Sequence, residues 1–270
     1  MSRTKKVIVS VLMLYSCILS ADDKALLDCV IEPSMLVELS SQVRGVLENI
    51  YVERGGFVKK GQLVARLMSG VETASVKLSM DRAKMEVDIQ SRKAEQQFKR
   101  NTLKQVAQLY EKKLASLHEY DDAKTSSVVA NVGLEKAIEL KHLAELELQR
   151  SKEVLKLRSI HSMIDGVVIE VMKSPGEFVE EQPVMKIARI DPLFVEVIVP
   201  ESMMGDIVIG QQINVNVEIP QSAIYSATVS VVDQVIDASS GTFGVRLELP
   251  NPGNKIHAGQ RCKITGSFEK

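Results

Sequence analysis

The sequence predicts an α+β protein, elongated and built of several domains. A small β-sandwich is split by a long antiparallel helical hairpin, and a small β-barrel follows. Three observations carry this. "GVLENIYVERGGFVKKGQLVARL" (Gly45–Leu67) and "GVVIEVMKSPGEFVEEQPVMKIA" (Gly166–Ala188) lie on each other at a constant offset of 121, without a gap. Between them the 95 residues Val71–Asp165 contain no Pro and one Gly, Gly133. After them come five strand-like runs separated by Gly, Pro, Asn or Ser turns.

The chain begins with a basic cluster, Arg3, Lys5 and Lys6, followed by the apolar run "VIVSVLMLYSCILS" (Val7–Ser20). A basic stretch, a short apolar stretch and small residues at Ser20 and Ala21 read as a secretory signal peptide over residues 1–21. The run is too short to span a bilayer comfortably. "LYSC" (Leu14–Cys17) is similar to a lipoprotein box, so two processing outcomes stand open: cleavage near Ser20–Ala21, or lipidation of Cys17.

Residues 22–40 are an N-terminal segment and an early strand that joins the barrel. Residues 41–70 form the first half of the sandwich, 71–160 the hairpin, 161–190 the second half and 191–270 the barrel. Each repeat has alternating apolar residues (Val46, Ile50, Val52; Val167, Ile169, Val171), a glycine turn, then Phe-Val and a further strand. A unit of this size cannot bury its apolar face alone, whereas two copies can close one sandwich.

The inserted segment is rich in helix-forming Ala, Leu, Glu, Lys, Arg and Gln. Ala123, Ser127, Ala130, Leu134, Ala137, Lys141, Ala144, Leu148, Ser151 and Leu155 form a heptad seam of mostly small residues. Lys141 is its exception. In the first half Val76, Met80, Ala83, Val87 and Ala94 hold a seam, which then shifts and resumes at Leu103, Val106, Tyr110 and Leu114. Ser116 with Glu119 three residues on is a capping-box pattern. Folding there makes two arms of about 44 residues, each about 65 Å long.

The barrel strands read as Pro192–Pro200, Gln211–Pro220, Ser226–Asp237, Thr242–Pro250 and Arg261–Phe268.

Together these residues resemble the periplasmic adaptors, or membrane fusion proteins (HlyD-like family), of tripartite efflux and secretion systems in Gram-negative envelopes. The two repeats resemble the halves of a split lipoyl-like domain. "LFVEVIVPES", "IGQQINVNVE", "SSGTFGVRLELPNP" and "HAGQRCKITG" are similar to the adaptor barrel in order and spacing. Ser162-Met163 stands where the family has Ala-Pro, and Gln182 where a turn glycine is usual.

The resemblance implies a non-catalytic periplasmic protein at the inner membrane. It would link an inner-membrane transporter, of RND or ABC type, to an outer-membrane channel, as a ring of six copies. Alternatives are an ABC-type or type I secretion adaptor, or a lipoyl or biotinyl carrier subunit. It also implies a docking set at the hairpin tip. The family pattern is an Arg, a Leu four residues later and a Ser seven beyond that; here these positions are Gln105, Leu109 and Ser116. Without charge assistance a Gln105 contact is weaker than an Arg contact.

Chemistry of other kinds is poorly served. The net charge of −1 gives no footprint for nucleic acid. Aromatics are 4 % with no Trp, low for an enzyme pocket. "VMKS" (Val171–Ser174) is superficially similar to a carrier's Met-Lys-Met, but a carrier lysine sits on the turn joining the halves, where this chain has its helical insertion. His118, His142, His161 and His257 make no spaced metal pair, and Met203-Met204 reads as core. No phosphate loop or catalytic triad is visible, and no cofactor is expected. Cys29 opens the early strand and Cys262 lies in the last one. If that strand joins the barrel the two are neighbours, and both a disulfide and two buried thiols are open readings.

Overall fold

A computed structural model describes residues 26–217 and 223–265. The signal peptide and Cys17 lie outside the described residues. In chain order the elements are β1 (Leu26–Leu39), β2 (Gly45–Ile50), β3 (Phe57–Val58), β4 (Leu63–Leu67), α1 (Gly70–Ala83), α2 (Val87–Glu111) and α3 (Leu117–Lys156). Then come β5 (Ser159–His161), β6 (Gly166–Val171), β7 (Phe178–Val179), β8 (Met185–Pro200), a 3-10 turn (Glu201–Met203), β9 (Gln212–Val217), β10 (Ala223–Val232), β11 (Thr242–Leu249) and β12 (Arg261–Thr265). The chain divides into two compact units, Ser34–Ile190 and the remainder. The sequence places the early strand wholly in the barrel; of β1, only the residues up to Pro33 belong to that unit.

In the Ser34–Ile190 unit the two repeats are knitted reciprocally. β3 pairs with β6, Phe57 opposite Val167 and Val58 opposite Gly166. The equivalent pairing of β7 with β2 sets Phe178 opposite Val46 and Val179 opposite Gly45. The hydrogen bonds obey the same offset. Gly55 N–H donates to Val168 C=O (2.8 Å) as Gly176 N–H does to Leu47 C=O (2.7 Å). Val168 N–H donates to Gly56 C=O (2.9 Å) as Leu47 N–H does to Glu177 C=O (2.8 Å). Gly55 and Gly176 both have positive φ, which favours glycine in these turns. The symmetry reaches upstream of the sequence repeat: the hydroxyls of Ser41 and Ser162 each donate to a carbonyl two residues on, at 2.5 and 2.6 Å. Neither copy has a complete set of strand partners alone. Their shared core buries Leu47, Val58, Val64 and Leu67 with Val168, Val179, Met185 and Ile187.

The hairpin continues from β4 and returns into β5. Its seam is built of small residues: Ser79 and Ala83 on α1 and Ser127, Ala130, Ala137 and Ser151 on α3 are buried, Ser151 against α1. The hydroxyls of Ser79 and Ser151 hydrogen-bond at 3.0 Å, which satisfies both in the seam.

The hairpin departs from the sequence expectation in two places. The first arm is not one helix of about 44 residues; it breaks at Lys84–Glu86 into α1 and α2. At the break the Nζ of Lys141, the charged exception in the α3 seam, forms an ion pair with the Glu86 carboxylate. That bond holds Glu86 below the usual carboxylate range and raises Lys141. The hairpin also ends earlier than residue 160. α3 stops at Lys156, and Ser159–His161 pair with β4 instead, burying Ile160.

The other unit is a barrel. Its strands run β1-β12-β9-β10-β11-β8, and β1 also pairs with β8, which closes the ring. Side chains alternate with period two, so Leu193, Val195, Val197 and Val199 of β8 and Phe243, Val245, Leu247 and Leu249 of β11 all point inward and are buried. Among the described residues no helix is long and apolar enough to cross a membrane.

Candidate functional site: the hairpin tip and its base

The tip is a tight, self-capped turn. α2 runs out through three backbone bonds: Lys112 N–H to Gln108 C=O, Lys113 N–H to Tyr110 C=O and Leu114 N–H to Leu109 C=O, the last at 2.8 Å. Lys113 takes a positive φ of 60° to reverse the chain. α3 then starts on Ser116 as a full capping box. Glu119 N–H donates to the Ser116 hydroxyl (3.2 Å), and the Glu119 carboxylate accepts from Ser116 N–H (2.7 Å). These bonds, the Ser116 N–H foremost, keep the Glu119 carboxyl below its usual range. Tyr110 and Tyr120 stack across the turn with centroids 5.2 Å apart, tying the two arms together.

Of the three residues singled out from sequence, Gln105 is exposed on α2 and Leu109 stands one turn further on, 44 % exposed. Ser116 is exposed, but its hydroxyl already donates to Glu119 (2.9 Å), so it can offer a partner only an acceptor. Sequence reasoning placed Leu114 in the seam; it lies in the turn instead, 72 % exposed. Leu117, at the first position of α3, is 58 % exposed and was not singled out. The signal for both was present in "KKLASLHEY": two leucines flanking a cap cannot both face a seam that reverses between them. The tip therefore displays Leu109, Leu114 and Leu117, an apolar surface on a rigid polar turn.

The base of the hairpin is fixed by one arginine. Arg158, just past α3, donates through Nη2 to Glu72 at the start of α1 (2.6 Å) and through Nη1 to Arg44 C=O (3.0 Å). Its own C=O accepts from Leu67 N–H (2.8 Å). Both ends of the hairpin and β4 thus meet at one residue. Gly45 makes room for it, since a β-carbon there would lie 2.6 Å from Nη1. Replacing Arg158 with Met should lower stability by about 1–3 kcal/mol, because Glu72 loses its partner while only 14 % exposed. A double-mutant cycle with Glu72→Gln in thermal melts checks this; additive losses would mean that the pair is not coupled.

Other candidate residues are accounted for structurally. Lys173 faces Glu177 (3.5 Å) in the turn between β6 and β7. His118 and His142 face Asp122 and Glu145 on the helix surface. Among the described residues no three metal-ligating side chains cluster. Cys29 and Cys262 are register partners on β1 and β12, joined as a disulfide with Cα atoms 4.9 Å apart.

Residues 192–268 match the CusB-like β-barrel domain family. Together with the split sandwich and inserted hairpin, this gives the chain a fold similar to that of solved membrane fusion proteins. Among solved structures, MacA from Actinobacillus actinomycetemcomitans superposes with a TM-score of 0.74 at 22 % identity, covering 90 % of this chain and 78 % of that one. The membrane fusion protein Spr0693 of Streptococcus pneumoniae R6 has a TM-score of 0.62 at 13 % identity, covering 91 % and 99 %. The macrolide export protein MacA of Yersinia pestis is 25 % identical over 239 residues, 85 % of this chain. The chain spans 55 % and 64 % of the lengths of two curated relatives that it matches.

Proposed function

We propose that the protein is a periplasmic adaptor that links an inner-membrane transporter, of RND or ABC type, to an outer-membrane channel, performing no reaction itself. The observation that carries this is the hairpin: a helix of about 60 Å inserted into a small sandwich, ending in a turn that leaves Leu109, Leu114 and Leu117 exposed. A hairpin that served only its own fold would have no use for apolar residues at its tip. In this reading the leader, or a lipid on Cys17, brings the chain to the inner membrane, and six copies close a ring through heterologous side contacts. The name of the Yersinia relative, a macrolide export protein, favours efflux of small molecules over protein secretion.

Purifying the native protein from solubilised membranes tests the reading. A transporter and a channel should come with it; recovery of neither sinks it. An intact mass with an added lipoyl or biotinyl group would establish the carrier alternative instead.

The tip contact gives a finer test. Leu109→Asp should weaken channel binding by about 1–3 kcal/mol, roughly 5- to 150-fold, because a carboxylate must be desolvated at an apolar contact. Protein level should be unchanged, since Leu109 is not core. Gln105→Arg should preserve or strengthen binding through charge-assisted bonds. Normal transport and binding in Leu109→Asp would remove the tip from the mechanism.

A further inference from the structure

Thr73 and Ser159, the chain neighbours of the clamp residues Glu72 and Arg158, line a cleft of about 410 Å³ at the hairpin base. Three cations line it with them. Arg66 comes from β4, where its register partner is Ser159 of β5. Lys152 and Lys156 stand one turn apart near the end of α3. Ser69, between β4 and α1, adds a third hydroxyl. No carboxylate is among the lining side chains.

This positive charge is not answered from within the fold. Lys156 Nζ donates to Glu153 (2.6 Å), but both side chains are exposed and the pair is weak. Among the described residues neither Arg66 nor Lys152 forms an ion pair or a side-chain hydrogen bond. The Arg66 guanidinium lies 5.9 Å from the centre of the Tyr51 ring, a contact that leaves its N–H groups free. The Ser69 hydroxyl stands at the N-cap of α1 yet makes no capping bond, unlike Ser116 on α3. Local causes account for only one of the three cations. Lys156, in the last turn of α3, complements the helix dipole. Lys152 lies before that turn, and Arg66 belongs to a strand. Like charges around one cleft repel, so the arrangement costs the fold energy unless an anion sits among them.

We propose that this cleft binds a phosphoryl group. An arginine fork and two ammonium groups suit a tetrahedral dianion, and the hydroxyls of Ser69, Thr73 and Ser159 can donate to its remaining oxygens. A carboxylate, with two oxygens in one plane, would leave donors on the other sides unused. The volume lies at the small end of the range for small-molecule sites and suits a phosphoryl group with a small substituent. Bound there, the anion links β4 of the sandwich to the last turns of α3, a second tie at the root of the hairpin beside the pair of Arg158 and Glu72. The site stands independently of the adaptor reading.

Calorimetric titration of the purified protein with inorganic phosphate, at constant ionic strength, tests this. Binding should saturate with a dissociation constant below about 1 mM. Arg66→Gln with Lys152→Gln should weaken it about tenfold or more, because the charge-assisted bonds are lost. Lys112→Gln, a basic residue at the hairpin tip, should leave it unchanged. All three side chains are exposed, so the variants should melt with the wild type. Two esters distinguish the source of the group: glucose 1-phosphate is the soluble probe and dihexanoyl phosphatidic acid the lipid probe. The ester that binds more tightly identifies the carrier, and esters no tighter than phosphate assign the site to free phosphate. Absence of saturation, an unchanged affinity in the double variant, or a heat that follows ionic strength alone would each overturn the proposal.

Discussion

Gly166→Ala should destabilise the sandwich by about 3–5 kcal/mol and lower its melting temperature by roughly 6–20 °C. A β-carbon at Gly166 would stand 2.2 Å from the carbonyl oxygen of Ala188 and 2.8 Å from its carbon. Neither atom can give way alone. Ala188 lies in β8 opposite Val167, and Gly166 itself pairs with Val58, so a shift large enough to admit a methyl parts two strand pairings at once. The equivalent glycine of the other repeat provides the control. A β-carbon at Gly45 meets the far end of a flexible side chain, Arg158 Nη1. Gly45→Ala should therefore cost only about 1 kcal/mol, the loss of the bond from Arg158 to Arg44 C=O. Thermal melts of the two variants side by side decide the matter. Equal losses would mean that the close approach of Ala188 is not what requires Gly166.

This pair of glycines shows what was legible in the sequence and what was not. The offset of 121 announced that Gly45 and Gly166 hold equivalent places. It could not announce that one is glycine for a backbone carbonyl and the other for a guanidinium 113 residues away. The repeat itself was readable because its periodicity is local: alternating Val and Ile, a glycine turn, then Phe-Val. Its reciprocal pairing followed from the fact that a lone half cannot bury its face. The extension to Ser41 and Ser162 was missed because two serines with different neighbours are too little signal to align.

The hairpin was readable for the same reason, through small residues at heptad spacing and the box of Ser116 and Glu119. Its break was not. Lys84–Glu86 contains neither Gly nor Pro, and the side chain that meets the break, Lys141, lies 55 residues from its partner Glu86. At the tip, the spacing of Gln105, Leu109 and Ser116 came from resemblance. Leu114 and Leu117 had to wait for the turn geometry, because heptad counting carried Leu114 into a seam that had already ended. The base clamp was equally hidden, since Glu72 and Arg158 are 86 residues apart and neither stands in a recognisable pattern.

Breaking the link between Cys29 and Cys262 should cost the barrel about 4.5–5.5 kcal/mol, the largest single effect expected in this unit. The size follows from chain entropy. The two cysteines are 233 residues apart and occupy opposite positions on β1 and β12, so the bond closes a long loop in the unfolded chain. Two limits bracket the gain. If everything between them unfolds, the full separation of 233 residues gives about 5.5 kcal/mol. If the Ser34–Ile190 unit stays folded while the barrel opens, roughly 75 flexible residues remain in the loop, and the logarithm falls only to about 4.5 kcal/mol. The slow growth of loop entropy with length makes the prediction insensitive to which unit melts first. Urea titrations of the wild type with and without reductant should show the difference, and Cys29→Ala with Cys262→Ala should match the reduced protein and ignore the reductant. Both cysteines are buried, so the double variant also loses a little packing, and comparison with the reduced wild type isolates the bond itself. An oxidising compartment is what the periplasmic reading requires for this bond to form. Thiol titration of the mature protein, denatured without reductant, should accordingly find neither residue free. Two free thiols would leave Cys29 and Cys262 as small apolar neighbours in the barrel wall and would remove the expected loss.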